Sequence, residues 1–173
     1  MKNLKKIGSL IILFILGVVT ISSAQARKKA DKDTKNWRYE IEAAGVGTQG
    51  FYLIKVWSYS KKANVALEQA KKNAVHGVVF KGFPGKPGVP GQKALASNPN
   101  VEQEKQEFFD EFFADNGKYM KYVSVSGDGS VAAEDRLKAG KEYKIGIVVS
   151  VNADALRKDL EAAGVIKGLS SGF

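Results

Sequence analysis

The chain contains no cysteine, and this absence restricts how any fold that it adopts can be stabilised. A disulfide framework, a thiolate metal site, a cysteine nucleophile and a lipid-modified cysteine anchor are all excluded. Stability must therefore come from a packed apolar core. Hydrophobic residues make up 44% of the 173-residue sequence and aromatic residues 10%, which is ample for such a core. The length predicts one folded domain, with tails at most.

The first 26 residues carry the pattern of a secretory signal peptide. Lys2, Lys5 and Lys6 precede an apolar run over residues 10–19, and small residues follow at Ala24-Gln25-Ala26. The apolar run is shorter than the roughly 20 residues that a membrane-spanning helix needs, so an uncleaved anchor is the less favoured alternative. We expect cleavage after Ala26 and a periplasmic or extracellular protein that is soluble once cleaved.

Residues 27–36 (RKKADKDTKN) contain no large apolar side chain and predict a flexible basic leader that buries nothing. The leader is either a solvated linker or an electrostatic tether to an anionic surface. We therefore expect at most a peripheral contact with the membrane, through Arg27 to Arg38. The formal net charge of +9 is concentrated at this end of the chain, because residues 39–173 carry 18 basic and 16 acidic side chains. The basic composition therefore does not indicate a nucleic-acid surface.

Alternation of period two and apolar spacing of the helical type predict the order β-β-α-β-α-β-β-α within a single domain at residues 37–173. The strands are expected at 37–43, 51–60, 78–80, 119–126 and 142–151, and the helices at 63–76, 101–116 and 155–163. Gly77 is expected to end the first helix, Asp154 to cap the last helix and Gly164 to end it. Hairpins separated by helices predict an α+β two-layer sandwich, with a mostly antiparallel sheet and helices packed on one face.

Residues 82–91 form three consecutive Gly-X-Pro triplets, the period of collagen. Three triplets between globular elements are too few for a triple helix, so we expect an exposed polyproline II segment within a Gly/Pro-rich loop at 82–100. This loop is either a stiff connector or a contact site for a partner protein. The candidate contact residues are Phe83, Pro84, Lys86, Pro87, Val89 and Pro90.

No catalytic residue, cofactor site or metal ligand is predicted from sequence. His76 is the only histidine and is expected to act as a favourable cation at a helix C-terminus. The spacing Gly45-x-Gly47-x-x-Gly50 precedes a strand rather than a helix, which indicates a hairpin turn and not a dinucleotide site. The acidic side chains of the second helix match its solvent side; these are Glu104, Glu107, Asp110, Glu111 and Asp115.

The second strand alternates aromatic residues with a base in the manner of a nucleic-acid platform. Tyr52, Trp57 and Tyr59 flank Lys55 in this way. An exported protein seldom meets nucleic acid, so these side chains are expected in the core and on the sheet surface.

The segment from Glu40 to Gly82 resembles the small envelope α+β domains of the LPP20 lipoprotein and flagellar FlgT N-terminal group. The resemblance lies in Ala44-Gly45-Val46-Gly47, in the alanine-rich helix at 66–75, and in a final strand and helix at 145–151 and 156–160. The lipobox cysteine of the lipoprotein members is absent. The resemblance implies a non-catalytic envelope or assembly role and supplies no catalytic residues.

These patterns together predict a secreted, non-enzymatic domain that binds or scaffolds proteins of the cell envelope, with no cofactor. The alternative is a small-molecule or glycan-binding domain, or a hydrolase built on carboxylates such as Glu40, Glu42, Asp110, Glu111 and Asp128. That alternative requires the carboxylates to converge in a partly buried pocket.

Overall fold

The computed structural model describes residues 29–30 and 36–168, so the predicted signal peptide and most of the predicted leader lie outside the described residues. The elements are, in chain order, β1 (Tyr39–Gly45), β2 (Phe51–Ser60), α1 (Ala63–Phe80), α2 (Val101–Glu104), α3 (Gln106–Phe112), a 3₁₀ turn (Lys118–Tyr122), β3 (Val123–Val125), a second 3₁₀ turn (Ala133–Asp135), β4 (Arg136–Ala139), β5 (Glu142–Asn152) and α4 (Ala153–Ala162).

The strands form one antiparallel sheet in the order β1-β2-β5-β3, and β4 also pairs with β5. This sheet and its helices confirm the predicted α+β class. The β1–β2 hairpin is also confirmed, with Tyr39 paired to Ser58 and Ala43 to Ile54. The packing of all helices on one face of the sheet stays a prediction.

Alternate residues of the two central strands build the core, as their period-two pattern requires. Ile54 and Val56 of β2 are buried, and Ile145 and Val149 of β5 lie in the same cluster. Helix α1 contributes small side chains to this cluster, namely Ala66, Ala70 and Ala74, each fully buried. Small residues let the helix backbone approach the sheet closely, which leaves few voids.

Helix α1 is longer than predicted and includes the segment 78–80, which was expected to be a strand. Val78 and Val79 continue the buried helical stripe, so tertiary packing outweighs the β-propensity of these residues. Gly77 lies inside the helix, where a Cβ atom would stand 2.7 Å from Cδ1 of Ile41. Gly77 therefore provides room for β1 rather than ending the helix.

Several other boundaries differ from the predicted ones. The helix expected at 101–116 is interrupted at Lys105, whose backbone (φ −118°, ψ 33°) is not helical. The strand expected at 119–126 is reduced to β3, because the 3₁₀ turn takes its first residues, and β4 lies in a segment where no strand is predicted. Asn152, not Asp154, caps α4 by accepting a hydrogen bond from the Ala155 amide. The prediction that Gly164 ends the last helix is confirmed, since α4 stops at Ala162 and Gly164 follows the cap with a φ of 64°.

Three residues of the predicted leader are described: Lys29 and Ala30 are helical, and Asn36 lies in a turn. Ala30 is only 3% exposed and clusters with Val65 of α1. The expectation that the leader buries nothing therefore fails at Ala30. Across residues 29–30 and 36–168, no helix has the length and apolar character needed to cross a membrane.

Candidate functional site

The Gly-X-Pro segment forms a small hairpin rather than the expected polyproline II segment. Phe83 bridges Gln92, and Lys86 bridges Val89. The Lys86 amide donates to the Val89 carbonyl at 2.9 Å, and the Val89 amide donates to the Lys86 carbonyl at 2.8 Å. The two residues between them are Pro87 and a glycine with φ of 78°, as a type II turn requires. We call residues 83–92 the proline hairpin.

The glycines of the triplets follow from this hairpin and not from a collagen-like structure. A Cβ atom on Gly85 would lie 2.6 Å from the amide nitrogen of Gly91, and one on Gly91 would lie 2.5 Å from the nitrogen of Gly85. The two arms approach so closely that only glycine fits at both positions. The three-residue spacing of the glycines therefore reflects the facing pair Gly85 and Gly91 and the turn at Gly88.

The proline hairpin is attached to the end of β1. The Lys86 ammonium donates a hydrogen bond to the Ala44 carbonyl at 2.6 Å. The Ala43 amide donates to the Pro84 carbonyl at 3.4 Å. Lys86 is the only charged residue of the hairpin, and its ammonium group is bonded to a carbonyl of its own domain.

Side-chain contacts also fix the base of the proline hairpin. Phe83 is buried and packs edge-on against Tyr52, with ring centroids 5.5 Å apart. The Tyr52 hydroxyl donates to Oε1 of Gln92 at 3.3 Å. Tyr52 therefore belongs to the support of the hairpin and not to an aromatic platform.

The structure divides the six predicted contact residues into two groups. Phe83 is buried and Val89 is half-buried, so they hold the hairpin in place. The other four are exposed, namely Pro84, Lys86, Pro87 and Pro90. Val46, in the turn after β1, is 74% exposed and adds an apolar side chain near the attachment point. An ordered, proline-rich projection can enter an apolar groove at a low cost in conformational entropy.

A buried polar network around His76 was not foreseen from sequence. The Tyr39 hydroxyl donates to Nδ1 of His76 at 2.7 Å, and Nε2 donates to Oε1 of Glu102 at 3.0 Å. The Trp37 ring stacks on the imidazole, with centroids 3.6 Å apart. His76 is therefore a neutral bridge between β1, α1 and α2. The prediction that His76 is a cation at a helix C-terminus is wrong, since α1 continues to Phe80.

The electrostatics of this network favour the neutral imidazole. Burial lowers the pKa of His76, and the hydrogen bond from His76 lowers the pKa of Glu102. Burial also raises the pKa of Tyr39, so its hydroxyl stays protonated and keeps its proton for His76. A protonated tyrosine is a poor nucleophile, so Tyr39 is not set up for nucleophilic catalysis. We interpret the network as a structural link between β1, α1 and α2.

We predict that His76 titrates below the ordinary histidine value of about 6.5. Since the unfolded chain then binds more protons than the folded chain, the free energy of unfolding should fall as the pH drops below about 6.5. Imidazole NMR signals measured against pH report this directly, because the chain has a single histidine.

The matched control is His76→Gln, which should remove the fall in the free energy of unfolding below about pH 6.5 that comes from the imidazole. An imidazole that titrates at or above the ordinary value would show that His76 is not desolvated in the fold.

The five carboxylates of the alternative hydrolase hypothesis do not share a pocket. Glu40 and Glu42 lie on β1, Asp110 and Glu111 lie on α3, and Asp128 lies in a turn, and all five are exposed. Within the part of the chain that the structure describes, no group of three or more histidine or carboxylate side chains is placed to hold a metal ion.

Two surface clefts lie beside α2 and α3. The larger one, about 390 Å³, is an open depression that includes Glu104, Glu107 and Glu111. The smaller one, about 210 Å³, lies between Val101 and the segment 164–167 after α4. The acidic residues of the second predicted helix thus face solvent, and neither cleft gathers groups that recognise a particular ligand.

Comparison of the chain with protein families, with curated proteins and with solved structures finds no match. The resemblance to the LPP20 and FlgT group therefore stays a prediction from sequence.

Proposed function

We propose that the protein is an exported, non-enzymatic domain that binds another protein of the cell envelope through the proline hairpin. Export is supported by the signal-peptide pattern of residues 1–26, with cleavage after Ala26. Binding is supported above all by one observation: an ordered hairpin, attached to β1, directs three prolines into solvent.

The chemistry of the proline hairpin favours a partner with an apolar groove lined by aromatic side chains. Proline rings have a fixed φ and no backbone N–H, so they contact such grooves through their ring faces and lose little entropy on binding. The hairpin has no acidic residue and one base that is already bonded to Ala44. Binding should therefore depend weakly on salt.

The proposal predicts that the combined change Pro84→Ser, Pro87→Ser and Pro90→Ser abolishes co-purification of the partner with the exported protein. The recovered amount should fall about tenfold or more, since the prolines supply both contact area and rigidity. Phe83 must be left unchanged, because it is buried and its loss would disturb the base of the hairpin.

The matched control is Leu137→Ser, which alters another exposed apolar residue, 47% exposed, on β4. Partner recovery should be unchanged in this control, and urea unfolding should show that both variants are folded. Full recovery of every partner with the triple serine variant would refute a docking role for the hairpin.

A further inference from the structure

A second surface carries paired charges and aromatic rings on alternate residues of β1, β2 and β5. Lys55, Trp57 and Tyr59 are half-buried, whereas Ile54 and Val56, which alternate with them, are buried in the core. We call this surface the aromatic face, and it comprises Glu40, Glu42, Lys55, Trp57, Tyr59, Lys144 and Gly146.

Trp57 lies flat on the backbone of β5. Its cross-strand partner is Gly146, where a Cβ atom would stand 2.9 to 3.1 Å from three atoms of the indole ring. The indole N–H donates to Oε1 of Glu42 at 2.9 Å, which sets the rotation of the ring. A glycine opposite a tryptophan therefore produces a flat apolar surface of fixed orientation.

The lysines of two ion pairs lie near the Trp57 ring. Lys55 pairs with Asp135 at 2.5 Å, and Lys144 pairs with Glu40 at 2.7 Å. The two ammonium groups lie 5.1 and 5.2 Å from the ring centroid. Both lysines are held by carboxylates, so the polar rim is ordered before any ligand arrives.

The next ring along β2 is bordered in the same manner. Arg38 lies 4.3 Å from the centroid of Tyr59 and forms an ion pair with Glu142. The Tyr59 hydroxyl donates to Glu40 at 3.2 Å. Acids and bases thus nearly balance across the aromatic face, and most of them pair with each other.

This balance restricts the chemistry of a ligand. A strongly charged polymer would have to break ion pairs that are already formed, and it would gain little from a nearly neutral surface. A neutral sugar ring instead has an apolar C–H face that fits a flat indole, and its hydroxyls can donate to the carboxylates and accept from the ammonium groups.

We propose that the aromatic face binds a neutral glycan, with one sugar ring stacked on the outer side of the Trp57 indole. This site is separate from the proline hairpin and does not depend on the function proposed for the hairpin.

The test is an NMR titration of the isotope-labelled protein with cellohexaose and with chitohexaose, two soluble neutral oligosaccharides. The indole N–H signal of Trp57, assigned by its loss in Trp57→Phe, should shift in a saturable way with one of them. The indole signal of Trp37, stacked on His76, should not move. Raising NaCl from about 50 to about 500 mM should leave the affinity unchanged, since no net charge is neutralised.

Three variants complete the experiment. Trp57→Ala should weaken binding about tenfold, the loss expected when one aromatic contact is removed. Gly146→Ala should weaken binding too, because its Cβ atom would displace the ring, and Asp110→Ala, an exposed change on α3, should bind normally. Three outcomes would each overturn the proposal. The first is that the Trp57 signal shows no saturable shift with either oligosaccharide. The second is that it shifts only with anionic heparin, in a way that salt removes. The third is that Trp57→Ala binds as well as the wild type.

Discussion

Replacing His76 with alanine should lower the free energy of unfolding by about 3 to 5 kcal/mol. The change removes the partner of the Tyr39 hydroxyl and of Glu102 and leaves a cavity between β1, α1 and α2. It also removes the ring on which Trp37 stacks. Trp37 has a φ of 45°, a conformation that bulky residues rarely adopt, and the contacts with its neighbours hold it there.

Urea unfolding of wild-type and variant protein at neutral pH measures this loss. Glu102→Gln is the matched control, because the amide oxygen still accepts the hydrogen bond from Nε2, and we expect it to cost only about 1 kcal/mol. Tyr39→Phe should fall between the two, since it removes one buried hydrogen bond and no ring. A loss below about 1 kcal/mol for His76→Ala would mean that the network does not tie these elements together.

Replacing Gly82 with alanine should destabilise the protein by about 2 to 4 kcal/mol and release the proline hairpin. Gly82 follows α1 with a φ of 66°, which alanine adopts only with strain. Its Cβ atom would lie 2.3 Å from the carbonyl oxygen of Gln92 and 2.8 Å from the amide nitrogen of Ala94. Both are backbone atoms, so the clash is relieved only if the second arm of the hairpin moves away.

Gly88→Ala is the matched control for Gly82→Ala. Gly88 also has a positive φ of 78°, but a Cβ atom there would meet nothing within 4 Å. Only backbone strain of about 1 to 2 kcal/mol is expected, and the hairpin should stay attached. Urea unfolding and hydrogen exchange of the Lys86 and Val89 amides separate the two variants. Equal effects on stability and exchange would contradict the close packing at Gly82.

The two central strands could be predicted from sequence. The segment 51–60 is rich in β-branched and aromatic residues and lies between turn residues, and the segment 142–151 places an apolar residue at every second position. Each signal is local, so it was sufficient to find β2 and β5. The short strand β4 was missed because its four residues carry two bases and a single large apolar side chain.

The wrong predictions for Gly77 and for the Gly-X-Pro triplets arose because glycine is used both where the backbone turns and where another part of the chain comes close. Gly77 resembled a helix end, yet it provides space for Ile41 of β1, and this depends on a contact between distant parts of the chain. The Gly-X-Pro triplets are compatible with polyproline II and with a tight hairpin, and the facing pair Gly85 and Gly91 decides between them.

The network around His76 could not be found from local patterns. Tyr39, His76 and Glu102 come from three separate elements, and no short motif joins them. The one available signal was a single histidine within an alanine-rich helix, a position where it must either be exposed or find polar partners. Only the approach of β1 and α2 to α1 shows which of these holds.

Site-specific photocrosslinking from the proline hairpin in intact cells tests its docking role most directly. With a photoreactive residue at Pro87, we expect one discrete adduct in the envelope fraction, lost when Pro84→Ser and Pro90→Ser are added. The same photoreactive residue at Leu137, exposed on β4, should give no such adduct. No adduct from Pro87, or the same adduct from both positions, would contradict a protein partner bound by the proline hairpin.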